Sequence, residues 1–134
     1  MTIIEGGCLC GAVRYRISGK PLQGEYCHCS MCRRAAGAPV VAWMDILRSS
    51  LTWVKGQTTR YESSPGIFRG FCANCGSALT FDNVASPDKI SLTIATLDDP
   101  APFAPQAHIY ADDQLPWLNL DDHLPRHPGP PKKA

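Results

Sequence analysis

Seven cysteines in a chain of 134 residues fall into three tight groups: Cys8-Leu9-Cys10, Cys27-His28-Cys29-Ser30-Met31-Cys32 and Cys72-Ala73-Asn74-Cys75. Thiols spaced one to four residues apart are how a chain presents ligands to a tetrahedral, thiophilic cation such as zinc. An odd number of thiols cannot all pair as disulfides within one chain. Single buried cysteines behave as small hydrophobes, but three clusters do not fit that behaviour. Cys72-x-x-Cys75 also lacks the βαβ surroundings of a thioredoxin-like redox pair. Metal binding is the reading that remains.

The ligand count divides naturally. Cys8 and Cys10 supply two ligands, too few for a site of their own. Added to Cys72 and Cys75 they complete a closed four-sulfur set, structural in character. Cys27, Cys29 and Cys32 are then left with an open position, which is the arrangement of a catalytic zinc. Spacing leaves a second grouping open, in which Cys8 and Cys10 join the middle cluster. Gly76, directly after Cys75, permits a tight turn whose amide N–H groups face the sulfurs.

The rest of the chain narrows the class. Its length suits one domain. Lys plus Arg is 13 against 12 for Asp plus Glu, a net charge of +1, which excludes a basic nucleic-acid footprint. The longest apolar run, Ala38 to Met44, is far short of the ~18 residues of a membrane span. Glu5 and Gly6–Gly7 come too early for a signal peptide. The expected compartment is therefore the reducing cytoplasm, where clustered cysteines hold metal rather than disulfides. No Ser-His-Asp arrangement, phosphate-cradling glycine loop or dinucleotide fingerprint is present.

Period-two patterns dominate. Val13, Tyr15 and Ile17 share one face of a strand, with Arg14 and Arg16 opposite. Further strand-sized runs are Val40–Met44, Leu51–Val54, Thr58–Tyr61, Gly66–Phe71, Ser77–Phe81, Ile90–Leu97 and Ala107–Ala111. In Gly66–Phe71, Ile67, Arg69 and Phe71 alternate with Phe68 and Gly70. Regularly spaced short strands predict a mainly β sandwich or barrel. The clearest helical stretch is Ser30–Ala36, with Ser30 as its expected N-cap and Gly37 as its stop. A further short turn is expected within Pro116–Asp122. Residues 1–123 read as the domain. Residues 124–134, with Pro125, Pro128, Pro130 and Pro131, read as a mobile or surface-laid tail that cannot pack as strand or helix, ending in a solvated Lys132–Lys133 pair.

Other polar and aromatic residues have plainer readings. His28 lies between two ligands, so its side chain is expected to point away from the metal, with a proton shuttle as the alternative. Arg33 and Arg34 read as solvated, or else as offsetting the charge of the open site. Trp43, Trp53 and Trp117 read as core or cleft wall. His108 and Tyr110 are expected to pack or to make a buried hydrogen bond. Asp112, Asp113, Asp121 and Asp122 read as a solvated loop.

Three ordered stretches carry a resemblance: Gly7-Cys8-Leu9-Cys10-Gly11-Ala12-Val13-Arg14-Tyr15, then Cys27-His28-Cys29-Ser30-Met31-Cys32-Arg33 through Gly37, then Phe71-Cys72-Ala73-Asn74-Cys75-Gly76-Ser77. With His108-Ile109-Tyr110 and Pro116-Trp117 behind them, they resemble the glutathione-dependent formaldehyde-activating enzyme family, which includes centromere protein V. The resemblance runs over about residues 5–123. It implies a zinc-bearing β-sandwich, or β-tent, with Cys8, Cys10, Cys72 and Cys75 on a structural zinc and Cys27, Cys29 and Cys32 on a catalytic one. It also implies a carbon–sulfur lyase that joins a small aldehyde such as formaldehyde to a glutathione-like thiol. A zinc held by three thiolates carries a net charge of 2 − 3 = −1 and favours deprotonation of an arriving thiol. Two rival functions use the same residues: a zinc-stabilised binding module without turnover, and a redox sensor that loses zinc on oxidation.

Overall fold

A computed structural model describes residues 3–131; the Lys132–Lys133 pair lies outside the described residues. The strands are β1 (Ile3–Gly7), β2 (Arg14–Ser18), β3 (Gln23–Cys27), β4 (Val41–Leu47), β5 (Leu51–Lys55), β6 (Thr59–Ser64), β7 (Ile67–Phe71), β8 (Ala78–Asn83), β9 (Lys89–Thr93) and β10 (Ala107–Ile109). One α-helix, α1 (Ser30–Ala36), follows β3. The strands form a three-stranded sheet, β1-β2-β5, and a seven-stranded sheet, β10-β3-β4-β9-β8-β7-β6. Neighbours are antiparallel except β10, which runs parallel to β3. No helix among the described residues is long and apolar enough to cross a membrane.

The two sheets pack face to face because each presents an alternating apolar side. Tyr15 and Ile17 of β2, as the period-two pattern predicts, turn inward with Ile4 of β1. They meet Met44, Ile46, Leu79, Ile90 and Leu92 of the larger sheet in one continuous core. The Tyr15 hydroxyl reaches Thr96 Oγ1 at 2.8 Å, so the buried phenol is satisfied. A second, smaller core gathers Val41, Trp43 and Ile109 around Cys27 and Cys32. Each core therefore touches a different cysteine group.

Several local expectations change on contact with the fold. β3 escapes a period-two reading because it is flanked by β4 and β10, and its Gly24 and Glu25 are both buried. Ile90–Leu97 is not one strand: β9 ends at Thr93, and Ile94–Thr96 forms a 3₁₀ turn. There Thr96 Oγ1 donates to the Thr93 carbonyl at 2.9 Å, a local bond that competes with the ladder. Ala107–Ala111 likewise stops at Ile109, where Tyr110 turns left-handed at φ 50°. The residue at the N-cap of α1 is Cys29 rather than Ser30, its carbonyl accepting from Arg33 N at 3.0 Å. Gly37 closes the helix at φ 62°, as expected.

The proline-rich stretch is laid on the surface. Residues 124–131 do not pack as regular strand, yet they are pinned along β10. His108 N donates to Pro125 O at 2.8 Å, His127 N to His108 O at 2.9 Å, and Tyr110 N to Gly129 O at 2.9 Å. Arg126 makes a parallel bridge with His108. Proline removes a donor but keeps a carbonyl acceptor, so this strap can still serve a strand edge.

The β7–β8 hairpin carries the third cysteine group, and its close approach depends on Gly70. A Cβ there would stand 2.0 Å from Thr80 Oγ1 and 2.8 Å from Thr58 Cβ. Gly70→Ala is expected to cost about 1–3 kcal/mol through overpacking. A urea melt checks this; a wild-type midpoint would show that the hairpin yields freely.

Candidate metal centres

The first group assembles across the two sheets. Cys8 and Cys10 sit on the turn after β1, while Cys72 and Cys75 sit on the β7–β8 loop. Their four sulfurs all lie within 4.8 Å of one another. Cys8 Sγ is 3.6 Å from Cys10 Sγ, and Cys10 Sγ is 3.8 Å from Cys72 Sγ. A tetrahedron with Zn–S bonds of about 2.3 Å has edges of about 3.8 Å, so the spacing fits such an ion. The surroundings suit thiolates too. Val13 N–H points at Cys8 Sγ (3.2 Å), Cys75 N–H at Cys72 Sγ (3.4 Å), and the Asn74 amide at Cys10 Sγ (3.1 Å). The Ser77 hydroxyl and backbone N–H bring the Cys75 thiol down to about 5. Gly76, at φ +80°, makes the turn that permits this. Of the two groupings that spacing left open, the fold assembles Cys8 and Cys10 with the third cluster.

The second group is local. Cys27 ends β3, Cys29 caps α1 and Cys32 lies in the first turn of α1, with all three sulfurs within 4.8 Å of one another. Cys27 Sγ and Cys32 Sγ are 3.3 Å apart. The hydrogen bond from Cys27, then the Arg69 guanidinium at 3.4 Å, bring the Cys32 thiol down to about 5. Cys27, the donor to Cys32 and itself buried, is pushed upward. Each group thus holds at least one thiol that ionises readily, from which capture of a cation can begin at neutral pH.

These three thiols open onto a cavity of about 490 Å³. Trp43, Phe81, Ile109 and Tyr110 supply apolar wall, and Pro130 and Pro131 of the strap form its rim. Glu25 and Asp45 line the same space. Glu25 is 3% exposed; burial and the adjacent Asp45 carboxylate raise its pKa to about 8. Asp45 Oδ1 also accepts from the Ser91 hydroxyl at 2.6 Å. A second cavity, about 520 Å³, lies on the far side of Cys32, Trp43 and Arg69, and Arg34 and Tyr61 face it.

Arg69, Glu25 and Asp45 escape the sequence reading. Arg69 left a trace, an arginine on the Ile67/Phe71 side of a strand. Glu25 left one as well, since two residues before Cys27 in an extended segment means the same face. His28 points away from the thiols, as expected, and is buried against His108, Nε2 to Nδ1 at 2.8 Å. Burial lowers its pKa to about 4. His108 makes the buried hydrogen bond expected of it, and Tyr110 is cavity wall. Trp43 is wall, Trp53 packs edge-on against Tyr15, and Trp117 is 68% exposed and lines neither cavity. Arg33 lines neither cavity. Asp112, Asp113 and Asp121 are exposed. Asp122 is the exception to the solvated-loop reading, because its Oδ2 takes a bond from His108 Nε2 at 2.8 Å.

Comparison with known proteins places this geometry. A Halomonas elongata protein named "Putative glutathione-dependent formaldehyde-activating enzyme" is 30% identical over 129 residues, covering 89% of this chain and 82% of that protein. An uncharacterised lyase of Schizosaccharomyces pombe is 32% identical over 77 residues, 58% of this chain and 56% of its own length. A Rhodobacter sphaeroides protein of known crystal structure superposes with a TM-score of 0.60 at 25% identity, over 73% of this chain and 93% of that one. The sequence profile of the glutathione-dependent formaldehyde-activating enzymes matches residues 3–113, which contain both thiol groups. The chain belongs to the glutathione-dependent formaldehyde-activating enzyme family.

Proposed function

We propose that this lyase-family protein is a zinc-dependent carbon–sulfur lyase that makes or breaks the bond between a glutathione-like thiol and a small aldehyde such as formaldehyde. The observation that carries the reading is the division of the seven thiols. Four close on themselves between the sheets, whereas three face a cavity large enough for a small cosubstrate. Cys8, Cys10, Cys72 and Cys75 would hold a structural zinc. Cys27, Cys29 and Cys32 would hold a second, which when bound supplies Lewis acidity and favours the thiolate form of an arriving thiol. A reducing cytoplasm suits such sites.

The chain's own residues supply the remainder. Adding a thiol to a carbonyl removes a proton from sulfur and delivers one to oxygen. Glu25, whose pKa burial and the neighbouring Asp45 raise to about 8, lines the cavity wall and would be the store from which a proton is lent and recovered. Trp43 and Phe81, packed with ring centroids 5.9 Å apart, exclude water from one side. Arg69, stacked over Phe81 and bonded to Cys32, offsets negative charge collected on the sulfurs. Holding both reactants in one walled space contributes several kcal/mol through proximity.

Cys29→Ala is expected to lower bound zinc from two per chain to one and to reduce thiol–aldehyde adduct formation at least about 100-fold, with the melting temperature little changed. Metal analysis and mass spectrometry of adducts check this, and undiminished turnover removes the middle thiols from the chemistry. Cys75→Ala should instead prevent stable folding, because it opens the group that joins the sheets.

Glu25 gives a pH signature. Its pKa is raised from 4.5 to about 8 on folding, so the folded state binds the extra proton between these values. Its contribution to stability is complete below 4.5 and is lost as pH rises through 8. Glu25→Gln keeps a neutral group there, so its stability relative to wild type should grow by on the order of a few kcal/mol between pH 5 and pH 8. Denaturant melts of both proteins across that range test the sign; a constant difference would mean that Glu25 is ionised in the fold throughout.

A further inference from the structure

Between Cys27 and Cys29 the chain is extended, and its side chains alternate. The two sulfurs go to the cavity side and His28 goes to the other, where it is 1% exposed. There it enters a polar chain with two short links. His28 Nε2 meets His108 Nδ1 at 2.8 Å, and His108 Nε2 meets Asp122 Oδ2 at 2.8 Å. The rings are stacked: Tyr26, His108 and His28 follow one another with centroids 4.9 Å and 5.1 Å apart. Asp122 is itself oriented by the Leu124 N–H, donated to its Oδ1 at 3.0 Å. A carboxylate only accepts, so a neutral His108 donates through Nε2, accepts at Nδ1, and receives the His28 Nε2–H.

This arrangement is costly unless it does something. The other ring nitrogen of His28, Nδ1, is buried with no partner among the described residues. Leaving such an acceptor unpaired is destabilising, and an apolar side chain would avoid that cost. What an apolar side chain would lose is the bond to His108. That bond holds the backbone between two of the three thiols to β10, and through Asp122 to the segment that leads into the strap. The same strap delivers Pro130 and Pro131 to the cavity rim.

We propose that Asp122, His108 and His28 are positioning residues that set the separation of the Cys27, Cys29 and Cys32 sulfurs, so that docking of the C-terminal strap governs how tightly this group, and not the four-sulfur group, holds its ion. The proposal rests on the zinc assignment above and adds the control of one site. None of the three residues touches the cavity side; they act through the direction they impose on residues 27–29.

The test uses zinc-loaded full-length protein and a chromogenic chelator, with Cys29→Ala identifying the release phase of the four-sulfur site. Asp122→Ala and His108→Phe, the second retaining the stacked ring, should speed release from the three-thiol site about 10- to 100-fold. Release from the four-sulfur site should stay at the wild-type rate. Asp122→Asn, whose amide oxygen still accepts from His108 Nε2, should behave as wild type. Release that rises equally at both sites, or at neither, overturns the proposal. A wild-type protein that binds only one zinc would defeat the zinc assignment instead. The positioning claim is then read in that one-zinc protein from the yield of a Cys27–Cys32 disulfide after diamide treatment, since these sulfurs stand 3.3 Å apart and need only a short approach to bond. Lower yields in Asp122→Ala and His108→Phe support it, and equal yields overturn it.

Discussion

The convergence of two loops on one four-sulfur point is the constraint on which the fold depends. β1 belongs to the small sheet and the β7–β8 hairpin to the large one, and no ladder joins them. Apolar burial holds the sheets over most of their contact, helped by the Tyr15–Thr96 hydrogen bond and a Gly6–Leu97 bridge to the segment after β9. At this end they are also held by four thiols within 4.8 Å. Four ionised sulfurs at that spacing would repel strongly, so the arrangement is stable as thiolate only around a cation of opposite charge. A bound ion would close the loop between Cys10 and Cys72 in the manner of a long-range crosslink, where loop-closure entropy makes such a link most effective.

The second thiol group obeys a different logic. All its members come from a six-residue stretch, Cys27–Cys32, so it cannot join distant parts of the chain. What it can do is present sulfur to a space. The strand-to-helix corner achieves this, because β3 delivers Cys27, the helix cap delivers Cys29 and the first turn of α1 brings Cys32 back alongside. Strand alternation then puts Glu25 on the same side as Cys27 and His28 on the opposite side. A buried acid on the reactive face and a buried base behind it follow from one rule of backbone geometry.

How far the fold is legible in the sequence follows from which interactions are local. Tyr15 and Ile17 alternate along an outer sheet with one wet face, and their strand is legible, although it begins at Arg14, one residue after Val13. Gln23–Cys27 alternates less clearly because the strand is hidden between β4 and a parallel β10. Ligand spacing within each cysteine group is local and plain. The partnership of Cys10 with Cys72 spans 62 residues and is set only by packing of the sheets. Arg69, Asp45 and Asp122 reach their partners across strands or through the strap. Their roles belong to register rather than to motif.

The proline-rich strap shows how much composition alone leaves open for such a segment. A run of prolines cannot donate a ladder of hydrogen bonds, and on that ground it reads as a tail, mobile or laid on the surface, with nothing to say which edge it covers. β10, however, is the edge of the larger sheet and needs acceptors for its outward N–H groups. Pro125 O accepts from His108 N and Gly129 O from Tyr110 N, while proline stiffness lowers the entropy lost on docking. The segment that cannot form a strand by itself is well suited to protect one. In doing so it brings Asp122 to His108 and Pro130 to the mouth of the cavity. The edge that needed covering is also the edge nearest the three thiols, so sheet protection and completion of the site are met by the same few residues.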